Sequence, residues 1–158
     1  MSVQALVDTL LKEADLIDEL LDAVAEQREL VKSGNRLALQ DLVKRTQDIS
    51  FGVQAQEAQR VRLTQALAEE LRCEPHFSAL VDALAGGASG NGGAAGKGAA
   101  LFRGAGERLR HSVFALKSEM MILSGLIEQN ERFSAMLLSE WRRLDAGFMR
   151  SGGLDFRG

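Results

Sequence analysis

Leu109, Val113, Leu116, Met120, Leu123, Ile127, Asn130, Ser134, Leu137, Trp141 and Leu144 follow one another at alternating spacings of four and three. Only an α-helix returns side chains to one face at that period. Five heptads of it make a seam that must lie along other helices, as in a coiled coil or a long bundle. Leu101, Phe102, Phe114, Met121, Leu126, Phe133, Met136 and Leu138 widen the apolar surface beyond the seam. From about Leu101 to Asp145 such a helix extends about 70 Å at 1.5 Å per residue. Of its polar members Asn130 stands out, because an asparagine in such a seam fixes register or partner number at some cost in stability.

The first half of the chain supplies partners for this helix. Val7, Leu10, Ala14, Ile17, Leu21, Val24 and Val31, interrupted by Arg28, predict an amphipathic helix over Val3 to Val31, with Asp8, Glu13, Asp15, Asp18, Glu19, Asp22, Glu26 and Glu29 on solvated faces. Gly34-Asn35 then reads as a helix stop followed by a cap. A second helix is expected from about Arg36 to Leu71, with Leu39, Leu42, Thr46, Ile49, Val53, Leu63 and Leu67 facing the first and Gln56 and Arg60 as polar interruptions. So short a connection makes the two antiparallel neighbours. Pro75 suits the first turn of a short helix through Ala83, whose apolar face is Phe77, Leu80, Val81 and Leu84. With aromatics at 5%, a single proline and no strand pattern, the fold class is all-α. The architecture expected is an elongated antiparallel helical bundle of three long helices plus a short helix, with coiled-coil-like packing.

Between the short helix and the last one lies AGGASGNGGAAGKGAA, residues 85–100. A phosphate loop ending on Gly96-Lys97 needs a glycine where Asn91 stands and a hydroxyl where Gly98 stands, so the motif fails twice. GNGGAA also satisfies a permissive dinucleotide fingerprint, but that pattern has meaning only between a strand and a helix. Small side chains bury too little surface to offset the entropy of ordering, which makes residues 86–98 a flexible tether. The domain reading is therefore one bundle over 1–147, interrupted by that tether, followed by a flexible tail over 148–158.

Catalysis and cofactors find no support. His76 and His111 fall in different elements, Cys73 stands alone, and no metal-ligand spacing occurs, so neither a metal nor any other cofactor is expected and the chain is not read as an enzyme. A net charge of −3 gives no general attraction to nucleic acid. No window approaches the roughly 20 apolar residues of a membrane span, and the acidic start is unlike a signal peptide; the unpaired cysteine suits a reduced cytoplasmic location. What remains is a binding role. The last helix is longer than the hairpin beside it, and its final turns carry Met136, Leu137, Leu138, Trp141 and Leu144, followed by Phe148. These residues either fold back onto the bundle or meet a partner, for which tryptophan and methionine offer large, adaptable apolar contacts.

Two stretches resemble the FlgN-like flagellar export chaperones. One is LVDTLLKEADLIDELLDAVAEQRELVKSGNRLALQDLVKRTQDI, an acidic helix followed by Q-R-x-L-V, a Gly-Asn turn and a second helix; the other is LIEQNERFSAMLLSEWRRL about Asn130. The resemblance spans about Leu6 to Leu67 and Leu116 to Leu144. It implies a small cytosolic all-α chaperone that holds hook-filament junction (hook-associated) proteins soluble, through their carboxy-terminal helices, until the flagellar type III export apparatus takes them. Export-apparatus components are then a further class of partner, and the chain itself is a monomer or weak dimer. Carried over by position, the partner-binding residues are Met136, Leu137, Trp141, Leu144 and Phe148, with Asn130 structural. The glycine tether lies outside the family pattern, and Phe148 and Gly152-Gly153 stand where many members have a tyrosine before a glycine. The alternative is a structural bundle or coiled coil in which the last helix pairs with its own copy.

Overall fold

At Gly34 the backbone turns left-handed, with φ of +72°, a region that costs a side chain bearing a Cβ. The amide of Gly34 reaches the carbonyl of Val31 and that of Asn35 reaches Leu30, closing the end of α1 (Ser2–Ser33) in a Schellman arrangement. Asn35 then caps α2 (Arg36–Leu71): its Oδ1 accepts the Ala38 amide at 3.2 Å. The stop-and-cap reading of Gly34-Asn35 is thus met bond for bond. In this computed structural model the described residues are 2–86, 94–129, 139 and 142–144. Among them every regular element is an α-helix; α3 is Phe77–Gly86 and α4 is Ala94–Gln129.

The far end of α2 repeats the Schellman bonds, Arg72 to Glu69 and Cys73 to Ala68, but with an arginine at the left-handed position, φ of +55°. A side chain there costs about 1–2 kcal/mol relative to glycine. Arg72→Gly is therefore expected to raise the stability of the chain by roughly 1 kcal/mol, read as a higher urea midpoint with an unchanged slope.

Pro75 does not sit in the first turn of α3 as the sequence suggests. The first helical bond runs from the Leu80 amide to the carbonyl of His76, which makes His76 the capping position and puts Pro75 just outside the helix. α3 also runs on to Gly86, and α4 begins at Ala94, so that 94–98, read as part of the tether, are helical. The helix gains from packing there what its glycines lack in propensity: a Cβ at Gly98 would lie 3.7 Å from Val3, and Ala99 is buried.

The chain gathers into two compact units. The described residues of the first come from Met1–Ala14 and Ala55–Arg110, and those of the second from Asp15–Gln54 and His111–Arg150. In the first, Glu13 meets Arg60, while Val3 lies by Gly98 and the Leu11 carbonyl accepts from Arg108 at 3.1 Å. Here α1 and α4 rise together. In the second, Glu26 meets Arg45 and Gln27 meets Thr46, the numbers falling on α1 as they rise on α2. Within the first unit α4 therefore runs parallel to α1, and within the second α2 runs antiparallel to α1. The first unit is filled by Leu6, Leu10, Leu67, Leu80, Phe102 and Leu109, the second by Ile17, Leu20, Leu39, Leu116, Leu123 and Ile127.

Among the described residues Phe102 is the largest fully buried side chain, and it packs on Phe77 of α3 with ring centroids 4.9 Å apart. One turn on, Gly106 lets the Phe77 ring lie against the backbone of α4; a Cβ at Gly106 would collide with that ring. This is the glycine of the α4 start that the packing requires.

Candidate interaction surface

α4 divides its apolar side chains between two faces. Leu109, Leu116, Met120, Leu123 and Ile127, the seam read from the sequence, are buried, with Val113 half-buried beside them. In the second unit Phe114, Met121 and Ile122 are exposed, Met121 at 76% of its surface. On a helix, 114 and 121 are two turns apart along one stripe, with 122 flanking it. Phe51 of α2 is a further exposed aromatic of this unit. Exposed large apolar residues grouped on one helix mark an interaction surface more than scattered ones do.

Of the partner-binding residues expected from the sequence, Met136, Leu137, Trp141 and Phe148 lie outside the described residues, as do Asn130 and the tail 148–158. Leu144 belongs to the helical stretch 142–144, where it is buried while Arg142 and Arg143 are exposed. A partner reaches Leu144 only if what covers it moves. Phe114 and Met121 were legible as apolar side chains flanking the seam; Ile122 carries no sequence signal of its own.

The largest departure from the sequence reading is inside the helices. Glu13, assigned to a solvated face, is 2% exposed, and Glu57 and Arg60 are buried with it. Arg60 donates from Nε to Glu13 Oε2 at 2.9 Å and from Nη2 to Glu57 Oε1 at 3.1 Å. Burial pushes Glu57 up to about 7, against the pull of Arg60 and with a further push from Glu13. Burial likewise raises Glu13, opposed by Arg60. In the second unit Gln27 is buried and gives its Nε2 to Thr46 Oγ1 at 2.8 Å, which in turn donates to the Leu42 carbonyl. The missed signal is positional: Leu6, Leu10, Glu13, Ile17, Leu20, Val24, Gln27 and Val31 keep the four-three spacing without a break, and all are buried.

A hollow of about 300 Å³ in the second unit is lined by Glu19, Asp22, Ala23, Glu26, Arg45 and Ile49, with Arg45 held on Glu26 at 2.7 Å. Its polar groups are carboxylates and one paired guanidinium. Among the described residues no group of three His, Cys, Asp or Glu side chains is placed to hold a metal ion. No helix among them is long and apolar enough to cross a membrane.

A family model described as FlgN protein matches residues 1–150 of the chain. No curated protein and no solved structure matches the chain.

Proposed function

The chain belongs to the FlgN family of flagellar export chaperones, and from that premise we propose that it binds the carboxy-terminal helices of hook-filament junction proteins in the cytoplasm and holds them soluble for the export apparatus. The observation that carries this reading is the exposed stripe of Phe114, Met121 and Ile122 on α4. An amphipathic client helix laid along it exchanges water for apolar contact at i, i+3, i+4 and i+7 anchors. Met136, Leu137, Trp141, Leu144 and Phe148 continue the same chain segment and are its proposed further contacts. Occupying a client's helix in this way denies it to other copies of the client.

The test is co-expression with the hook-filament junction proteins of the same genome, with the mass of any complex measured by light scattering. A one-to-one complex is expected. Trp141→Ala should weaken it by about 2 kcal/mol or more, roughly 30-fold, as truncation of a central aromatic anchor does, while circular dichroism of the free chain stays unchanged. Met121→Glu, on a side chain already in water, should weaken the complex without affecting the fold. No complex, with the chain alone assembling into a stable oligomer, would instead make it a self-associating bundle. Equal loss of helicity and binding in Trp141→Ala would put Trp141 in the core.

A further inference from the structure

Glu13 on α1 and Glu57 and Arg60 on α2 bring two carboxyls and one guanidinium together inside the first unit. All three residues are buried, and among the described residues Arg60 Nη1 has no hydrogen-bond partner. With both carboxyls ionised the cluster carries one uncompensated negative charge out of water. With one of them protonated it is neutral, and a buried neutral cluster avoids the desolvation cost of a lone ion.

Among the described residues no second cation is buried with the cluster. Among the described residues the charges acting on Glu57 are those of Arg60 and Glu13, and the charge acting on Glu13 is that of Arg60. From α4, Leu109 is buried in the same unit, and Arg108 directs Nη1 to the Leu11 carbonyl. Glu107 of α4 is exposed and paired with Arg110 at 3.9 Å. Lys12, the neighbour of Glu13 in α1, is exposed. The remaining buried polar side chains of this unit, Thr9 and Thr64, are uncharged.

We propose that the Glu13–Arg60–Glu57 cluster takes up one proton when α1 and α2 close in the first unit and releases it when they part, making this unit a pH-sensitive segment of the bundle. The linkage has a definite sign. Below the ordinary carboxyl range both closed and open forms are protonated, and closure has its full strength. Between that range and about 7, the value to which Glu57 is raised, only the closed form holds the proton. The opening constant then rises by up to about tenfold per pH unit and levels off above the raised value. Alkaline conditions loosen the unit and mildly acid ones tighten it. This inference goes beyond the chaperone reading and depends only on packing within one unit.

Two measurements on the full chain test it. In a titration followed by carboxyl carbon NMR, the glutamate pair should show one midpoint near 7, belonging to the pair as a whole. Urea unfolding from about pH 5.5 to 8.5 should show stability falling as pH rises, and Glu57→Gln, which keeps the shape and supplies a permanently neutral partner, should abolish that fall. Both carboxyls titrating in the ordinary range would overturn the proposal, whatever the variant does. So would a pH dependence that Glu57→Gln leaves intact.

Discussion

Arg60→Met will destabilise the chain by about 3–5 kcal/mol at alkaline pH, the usual consequence of leaving buried charge without its counter-ion. Arg60 is 3% exposed and supplies a hydrogen bond to each of Glu13 and Glu57. Without it two largely buried carboxyls remain with no counter-ion among the described residues. Each can escape only by protonation, so the loss should shrink as pH falls and both become neutral. Replacing the whole set, Glu13→Leu with Glu57→Leu and Arg60→Met, should recover the lost stability and exceed the natural chain by as much as about 4 kcal/mol, because apolar packing of similar volume needs no compensating charge. Urea unfolding of the single and triple variants at two pH values checks all of this. A triple variant as unstable as Arg60→Met would mean that steric fit, not charge, governs the site.

These residues also show where the sequence was readable and where it was not. Leu109, Leu116, Met120, Leu123 and Ile127 sit on one unambiguous seam, and all are buried as expected. α1 offers adjacent apolar columns instead, Leu6 beside Val7 and Leu20 beside Leu21. Hydrophobic period alone does not say which column faces inward. The column of Val7, Ala14 and Leu21 is buried at Val7 and Ala14 and half-buried at Leu21, but following it leaves Glu13 and Gln27 on the solvent side, whereas the neighbouring column of Leu6, Glu13, Leu20 and Gln27 is buried throughout. On α2 the same ambiguity favours Ile49 and Leu63, which are half-buried, over Ser50 and Thr64, which are buried. A seam that alternates polar with apolar members hides from any reading that follows apolar residues. Arg60 was visible as an interruption of the stripe, but its partners were not, because they depend on the register between two helices. The expected site was legible only as an apolar run after Gln129. Its one described member, Leu144, keeps the four-three count of the seam in the sequence and is buried.

Phe102→Ala should cost about 3–5 kcal/mol, as for other fully buried aromatics. Phe102 is 1% exposed, and the contact it makes with Phe77 joins α3 to α4. Because Phe77 also lies over the bare backbone at Gly106, removing the Phe102 ring takes away one side of its seat while leaving the other. Leu80 and Val81 keep α3 partly attached. The expected signature is thus a lower urea midpoint together with faster proteolysis within 72–93, measured side by side. A lower midpoint with unchanged cleavage there would show that the cost falls on the α4 packing alone.

The parallel run of α1 and α4 sets an order of assembly. Closing the hairpin brings together residues 19 apart at Gln27–Thr46 and then 47 apart at Glu13–Arg60, whereas seating α4 at Arg108–Leu11 joins residues 97 apart. Contacts of greater separation cost more chain entropy before they stabilise anything, and folding slows as they dominate. The two-helix hairpin is therefore expected to nucleate at the Gly34 turn and α4 to dock last, an order that pulse-labelled hydrogen exchange would check. On a ribosome the hairpin is complete before the helix that carries the exposed apolar stripe has emerged, so that stripe first meets water on a chain whose scaffold already stands.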